Sequence, residues 1–331
     1  MHIANLLIAT ALLVQLTACS DSNRPPVAAI TTDTAPAAVA SVQDSASTPR
    51  VALIMKTLTN PFFVEMEQGA RRAQKEAHVD LQVKTATQET SIEQQIQLVE
   101  QEIQSNTKAI VIAPGDSMRL VPVLKKAQDA GIQIVNIDNR LSAQAMTAVA
   151  MRPVPFISVN NEKGAYQVAK FLADQVKHPT EVAIVEGIRG ADNGQQRKRG
   201  AERAFQENSN LSVVAMETAN WKIDEAYEVA KRIFKAHPHI GVVFCANDMM
   251  AIGVLKYLQE TGNTQVLVGG FDALEEAKSA IRAGQLSATI DQQAGQQGYL
   301  GVKAALHLLK QEPQPLEVEV EAKLVTAKSL K

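Results

Sequence analysis

The chain has 331 residues, and its 33 Lys and Arg against 35 Asp and Glu give a formal net charge of -2. Nucleic-acid binding depends on an excess of positive charge, so this balance excludes a dominant role in binding DNA or RNA. Hydrophobic residues make up 46% and charged residues 21%, which is ordinary for a globular protein, and the length predicts two domains. With only two cysteines, Cys19 and Cys245, no disulfide framework is predicted.

The N-terminal segment has the pattern of an export signal. Residues 3–18 form an apolar run that is short for a membrane span and of ordinary length for a signal peptide. The run ends in Leu-Thr-Ala-Cys, which resembles the lipobox of bacterial lipoproteins. This resemblance implies a signal peptide over residues 1–18 and lipidation of Cys19. It also implies an exported protein, anchored through Cys19 at the periplasmic or cell-surface face of a membrane.

The segment after Cys19 is predicted to be a disordered tether. Residues 19–49 are rich in Ala, Pro, Ser, Thr and Asp and show no hydrophobic periodicity. Such a segment buries too little apolar surface to offset the entropy of ordering it. Cys245, by contrast, lies in the apolar run VVFCA and is predicted to be an unreactive core residue.

From residue 50 onward, short β-branched runs alternate with amphipathic stretches, which predicts parallel sheets covered by helices. More than eight strands are predicted, and a polar, proline-containing segment interrupts the rhythm between Leu141 and Pro155. Both features favour two doubly wound lobes over a single (β/α) barrel. The predicted strands span residues 51–55, 81–85, 109–113, 132–137, 156–160, 182–186, 211–216, 242–246, 266–271 and 288–290.

Ligands of open α/β sheets bind outside the carboxyl ends of the strands, so the residues that follow the predicted strands are the candidates for a binding site. They are polar or aromatic, and they lack an evident catalytic pair. The candidates are Asn60, Phe62, Phe63, Asp138, Arg140, Arg199, Trp221, Asn247, Asp272 and Gln292.

Several candidates also have a purely structural explanation. Asn60 before Pro61 is a strong helix start, so its role is either to cap that helix or to bind a ligand. Two aromatic rings follow this start, and we expect at least one of them, Phe62 or Phe63, to face the cleft. Capping is likewise the alternative for Asn247 and Asp272.

The charged candidates suit a neutral polyol. Asp138 and Arg140 either pair with each other or offer planar hydrogen-bonding groups to vicinal hydroxyls. Arg197 and Arg199 lie two residues apart on a predicted helix and do not share a face, and Arg199 is the one predicted to reach the ligand. Trp221, the single tryptophan, is predicted in a turn, where its flat face suits stacking on a sugar ring.

Motifs of common enzyme classes are missing from the chain, so a non-enzymatic role without cofactor or metal is predicted. The glycine-rich loop over residues 187–194 offers only weak support for phosphate binding. An enzyme acting on a sugar or sugar phosphate, with Asp138 or Asp272 as base, is kept as an alternative.

The chain from residue 50 to its end resembles the ribose-type periplasmic sugar-binding proteins of bacterial ABC importers. The resemblance is carried by NPFF, IVNIDNR, RKRGAERAF, CAND and GGFD in this order and at comparable spacing. It implies the type I periplasmic binding protein fold, with two lobes joined by three hinge crossings. The implied lobes span residues 50–159 with 293–321, and 160–292 with 322–331.

The resemblance also implies a function. A monosaccharide is captured by closure of the lobes, through the candidate residues named above, and is delivered to a membrane ABC permease by a monomeric receptor. Trp221 stands where ribose binders usually carry a Phe, Ala113 replaces a usual Asn, and Asn139 separates the usual Asp-Arg pair. These departures put ribose itself in doubt. A sensor that reports to a chemoreceptor or histidine kinase, or a receptor for a furanone signal or nucleobase, is the alternative.

Overall fold

The computed structural model describes residues 48–331. The predicted signal peptide, the predicted lipidation site at Cys19 and nearly all of the predicted tether lie outside these residues. No helix within the described range is both long and apolar enough to cross a bilayer.

Six strands form a first, entirely parallel sheet in the order β11-β5-β4-β3-β1-β2. The strand bounds are β1 (Arg50–Met55), β2 (Asp80–Thr85), β3 (Ala109–Ile112), β4 (Gln133–Ile137), β5 (Phe156–Val159) and β11 (Glu317–Val320). The helices that belong to this sheet are α1 (Pro61–Ala77), α2 (Ile92–Gln104), α3 (Val121–Asp129), α4 (Ala143–Ala148) and α10 (Ala294–Leu309). This sheet and its helices are called the first lobe below.

The second sheet has the order β12-β10-β9-β8-β6-β7, and only β12 runs antiparallel to its neighbour. Its strands are β6 (Thr180–Glu186), β7 (Leu211–Thr218), β8 (Ile240–Cys245), β9 (Leu267–Gly269), β10 (Ala288–Asp291) and β12 (Lys323–Thr326). Its helices are α5 (Asn161–Ala173), α6 (Asp192–Gln206), α7 (Ile223–Ala236), α8 (Asp248–Glu260) and α9 (Glu275–Arg282). Together they are called the second lobe.

The two faces of the first sheet are both covered, which explains its near-continuous apolar strands. Successive side chains of a strand point to opposite faces, so Leu53 and Met55 of β1 pack in one apolar cluster while Ala52 and Ile54 pack in another. The first of these clusters extends into the core of the second lobe, where Cys245 is fully buried. The predicted core position of Cys245 is thereby confirmed, and burial raises the pKa of its thiol well above the ordinary value.

The chain passes between the two sheets three times. It leaves β5 for α5, leaves β10 for α10, and leaves β11 for β12. The predicted α/β architecture with two doubly wound, parallel-dominated sheets is confirmed. Because β1, β3 and β4 of one sheet and β6, β8 and β10 of the other end toward the same gap, the loops at their carboxyl ends form the walls of a cleft.

Candidate functional site

The loops at the carboxyl ends of the strands meet around a small cavity of about 20 Å³ between the lobes. This is room for one or two water molecules. Eleven residues line the cavity, and most carry hydrogen-bonding groups: Lys56, Asn60, Phe62, Phe63, Glu89, Asp138, Asn193, Arg197, Asn247, Asp272 and Gln292. Seven of the ten candidates from the sequence are among them.

The start of α1 supplies one wall from the first lobe. Asn60 is the N-cap of α1, and its Oδ1 accepts a hydrogen bond from the Phe62 backbone N–H at 3.0 Å. Its Nδ2 donates to Glu89 Oε1 at 2.9 Å, so Asn60 caps the helix and also faces the cavity. Phe62 and Phe63 are both buried and meet edge to face, with ring centroids 5.1 Å apart. Both rings line the cavity.

A buried charge cluster, which the sequence did not reveal, lies beside this wall. Lys56 directly follows β1, and its Nζ lies 2.9 Å from Asp138 Oδ2 and 4.0 Å from Glu89 Oε2. All three side chains are at least nine-tenths buried. Burial raises the pKa of Glu89, and the Lys56 ammonium opposes that rise. The lysine therefore balances two carboxylates inside the first lobe.

Arg197 is the arginine that the second lobe places in the cavity, which corrects the sequence-based choice of Arg199. The helix α6 buries Asn193, Gly194, Arg197 and Gly200, so this face points inward. Arg199 lies on the opposite face, where its side chain is 53% exposed and pairs with Glu162.

The Arg197 guanidinium is held by three hydrogen bonds and an aromatic ring. It donates to Asn161 Oδ1 at 2.9 Å, to the Ala246 carbonyl at 2.9 Å and to Gln292 Oε1 at 3.1 Å. It also stacks on the Phe271 ring, 3.9 Å from the centroid. Because its orientation is fixed by these contacts, it presents a rigid planar donor to the cavity.

Arg140 does not line the small cavity. Asp138 has a left-handed backbone (φ 61°), and the chain turns so that the next residue, Asn139, is fully buried while Arg140 points outward. Its Nη1 donates to Glu317 Oε1 at 2.7 Å, and its guanidinium stacks on Phe156. Arg140 borders a separate pocket together with Gln196 of the second lobe, and Asp138 does not pair with it.

Asp272, Gln292 and Asn247 complete the second-lobe wall. Gln292 Nε2 donates to Asp272 Oδ1, and the Asp272 carboxylate lies 3.7 Å from Arg197. Burial raises the pKa of Asp272 well above its ordinary value, and Arg197 opposes this effect. Asn247 Oδ1 accepts the Met250 N–H at 2.9 Å and so caps α8, while the residue also faces the cavity.

Trp221 lies at the mouth of the cleft rather than against the small cavity. It lines a larger vestibule of about 340 Å³, which also borders Asn60 and Glu89. Its indole is 4% exposed and packs on the backbone at Gly187, where a Cβ would overlap the ring. Its Nε1 has no hydrogen-bond partner among residues 48–331, so the indole N–H is a free buried donor.

The cavity thus combines planar charged groups, amides and flat apolar rings. Carboxylates accept and the guanidinium donates several hydrogen bonds in fixed directions, which matches the alternating hydroxyls of a neutral polyol. The charges largely balance one another across the cavity, so an uncharged ligand fits without leaving a buried charge unpaired.

The chain is similar to proteins of a known family. Residues 51–313 match the family model described as periplasmic binding protein domain. The chain is 40% identical over 287 residues to a D-ribose/D-allose-binding protein of Pseudomonas aeruginosa, covering 84% of this chain and 89% of that one. It is 33% identical over 277 residues to a D-allose-binding periplasmic protein of Escherichia coli, with coverages of 83% and 89%.

A similar solved structure is that of an ABC transporter periplasmic solute binding protein from Actinobacillus succinogenes with bound D-allose. The TM-score is 0.81 at 38% sequence identity, and the match covers 86% of this chain and 99% of that one. The relatives named by these comparisons are substrate-binding proteins rather than enzymes.

Proposed function

The chain belongs to the periplasmic binding protein family, and on this premise we propose that it is an exported receptor that captures a monosaccharide of the ribose or allose type between its lobes and delivers it to an ABC importer. The observation that carries the proposal is the convergence of Asp138, Arg197 and Asp272, all buried, on one cavity between the lobes.

The ligand contacts follow from the positions of the side chains. Donors and acceptors for the sugar hydroxyls come from both walls, while the rings of the first-lobe wall and the indole at the mouth cover the apolar C–H faces of the sugar. The proposed contacts are Lys56, Asn60, Phe62, Phe63, Glu89, Asp138, Arg197, Trp221, Asn247, Asp272 and Gln292. Arg197 takes the role first expected of Arg199, and Arg140 has no contact.

Binding proceeds by hinge closure. The cavity of about 20 Å³ is much smaller than a monosaccharide, so a sugar enters only when the lobes move apart. The motion takes place at the three crossings between the lobes. One lobe spans residues 50–159 with 293–321, and the other spans residues 160–292 with 322–331. Closure excludes water and strengthens the hydrogen bonds of the buried charges.

Anchoring through Cys19 keeps the receptor at the membrane. The support is the Leu-Thr-Ala-Cys sequence after an apolar run. Metabolic labelling with a fatty-acid analogue in a bacterial host tests it, with Cys19→Ser as the matched variant. Label on the wild type alone supports the anchor, and equal labelling of both proteins contradicts it.

A thermal-shift screen of the purified protein against pentoses, hexoses, sugar alcohols and nucleosides tests the proposed ligand class. A ligand that binds the folded state alone raises the melting temperature. We expect shifts with D-allose or D-ribose. A shift with nucleosides alone contradicts the proposal, and so does a melting temperature that no sugar raises.

A further inference from the structure

We propose that Ser117 and Asn139 form an interlobe latch, because these two first-lobe side chains cap the first turn of α6 in the second lobe. The inference rests on the proposed function, since it concerns how the receptor is stabilised when its lobes are together. Neither residue lines the cavity, so the two act on ligand binding as positioning residues.

The start of α6 lacks a cap of its own. The residue before the helix is Ala191, whose methyl group accepts no hydrogen bond. The Asp192 N–H donates instead to Ser117 Oγ at 2.9 Å, and the Asn193 N–H donates to Asn139 Oδ1 at 3.1 Å. The first N–H groups of any helix have no partner within the helix. Here both partners come from loops that follow β3 and β4 of the other lobe.

Two further bonds join the same surfaces. The Ser117 N–H donates to the Gly190 carbonyl at 3.0 Å, and Asn193 Nδ2 donates to Asp138 Oδ1 at 3.3 Å. Ser117, Asn139 and Asn193 are between 0% and 6% exposed, whereas Asp192 is half-buried and Gly190 is exposed. The latch therefore joins the lobes through four hydrogen bonds, two of them between buried residues.

Asn139 is held ready for this contact by its own lobe. Its Nδ2 donates to the Pro114 carbonyl at 3.0 Å, which turns its Oδ1 toward α6. Asn139 is the residue that separates Asp138 from Arg140 in the sequence. The same turn that moves Arg140 out of the cleft thus presents an acceptor to the opposite lobe.

Other helices are capped within one lobe, and they supply matched controls. Ser142 Oγ accepts the Ala145 N–H at the start of α4, so Ser142→Ala removes a serine cap as Ser117→Ala does. Asn208 Nδ2 donates to the Ala173 carbonyl at 2.8 Å inside the second lobe, so Asn208→Ala matches Asn139→Ala. The Ser142 backbone N–H donates to the Ser117 carbonyl at 2.7 Å, a bond that Ser142→Ala keeps. Neither control side chain forms a hydrogen bond between the lobes.

The test is the Kd and dissociation rate of D-allose for the wild type and the four variants, together with the melting temperature of each ligand-free protein. Losing one cap is expected to raise Kd about fivefold in Ser117→Ala and in Asn139→Ala, mainly through faster dissociation, because the closed form is less populated. The controls are expected to keep Kd within about twofold of the wild type. If all four variants lower the melting temperature and none changes Kd, the latch is refuted.

Amide hydrogen exchange gives a readout that does not need a known ligand. The N–H groups of Asp192 and Asn193 have no partner inside α6, so slow exchange at these two positions reports the contacts from the other lobe. Protection in the wild type that is lost at Asp192 in Ser117→Ala supports the latch. Fast exchange in the wild type both with and without sugar refutes it. A wild type that binds no monosaccharide while both amides stay protected refutes the proposed function and leaves the latch standing.

Discussion

Arg197 and Arg199 lie two residues apart on one helix, yet the Arg197 guanidinium is 3.7 Å from the buried Asp272 carboxylate while the Arg199 side chain is 53% exposed. The period of the helix separates them by more than half a turn. The chain therefore carries a built-in control for the binding role of a guanidinium in the cleft.

Arg197→Lys is expected to weaken sugar binding at least about tenfold, because an ammonium cannot reproduce three forked hydrogen bonds of a charged donor, each contributing ~1.5–3 kcal/mol. Arg199→Lys is expected to leave affinity within about twofold and stability within ~0.5 kcal/mol, since the side chain is a surface group. Calorimetric titration of both variants measures the difference. Equal losses in the two variants would contradict the placement of the site.

Gly187 gives the indole of Trp221 the space that it occupies, since a Cβ at this position overlaps the six-membered part of the ring. Gly187→Ala is therefore expected to displace the ring, shift the fluorescence of this single tryptophan and weaken sugar binding about tenfold. In the Trp221→Phe background the overlapping atoms are gone, so the same change is expected to have a smaller effect. A double-mutant cycle on Kd tests this; additive effects would show that the indole is not the group displaced.

Gly190 lies in the second lobe against Asp116 of the first, and a Cβ there would collide with Asp116 Oδ2. The carboxylate is fixed because its Oδ1 accepts the N–H groups of Met118 and Arg119, both at 2.8 Å. Gly190→Ala is expected to hinder closure and raise Kd about tenfold, with little change in the melting temperature of the ligand-free protein.

Adding Asp116→Ser to Gly190→Ala shortens the opposing side chain and retains an acceptor for the two N–H groups. This double variant is expected to recover most of the lost affinity. An affinity that stays at the wild-type level in Gly190→Ala alone would argue against contact between these loops in the ligand-bound form.

Burial raises the pKa of the Asp248 carboxyl from 3.8 to about 6. At a pH between 3.8 and about 6, Asp248 of the folded chain holds a proton that the unfolded chain has lost. The contribution of this residue to the free energy of unfolding therefore falls as the pH rises through this range. Denaturant unfolding of the wild type and Asp248→Asn across this range measures the contribution as a difference. NMR titration of the carboxyl carbon gives the pKa directly, and a midpoint near 4 would contradict the prediction.

The ten strands predicted from the sequence all occur in the structure, because each is an apolar run flanked by turn residues. β11 and β12 were missed. Both are four residues long and lie at the edge of a sheet. In β11, EVEV, valines alternate with exposed glutamates, and β12, KLVT, begins with an exposed lysine, as is common in edge strands. Runs of this kind carry too little apolar signal to distinguish them from loops.

The site was harder to predict than the fold. The carboxyl ends of the strands located the cleft, but the phase of α6 decided which arginine enters it, and that phase depends on where the helix packs. Lys56 was missed because a lysine after a strand is ordinarily solvated. Only the fold brings Asp138 and Glu89, distant in sequence, around its ammonium.

Binding of a monosaccharide between the lobes is tested by titrating the purified protein with D-allose and D-ribose in a calorimeter. We expect saturable binding of at least one of them, with one site per chain and a Kd of about a micromolar or tighter. Absence of measurable binding to either sugar, and to the other common pentoses and hexoses, would contradict it.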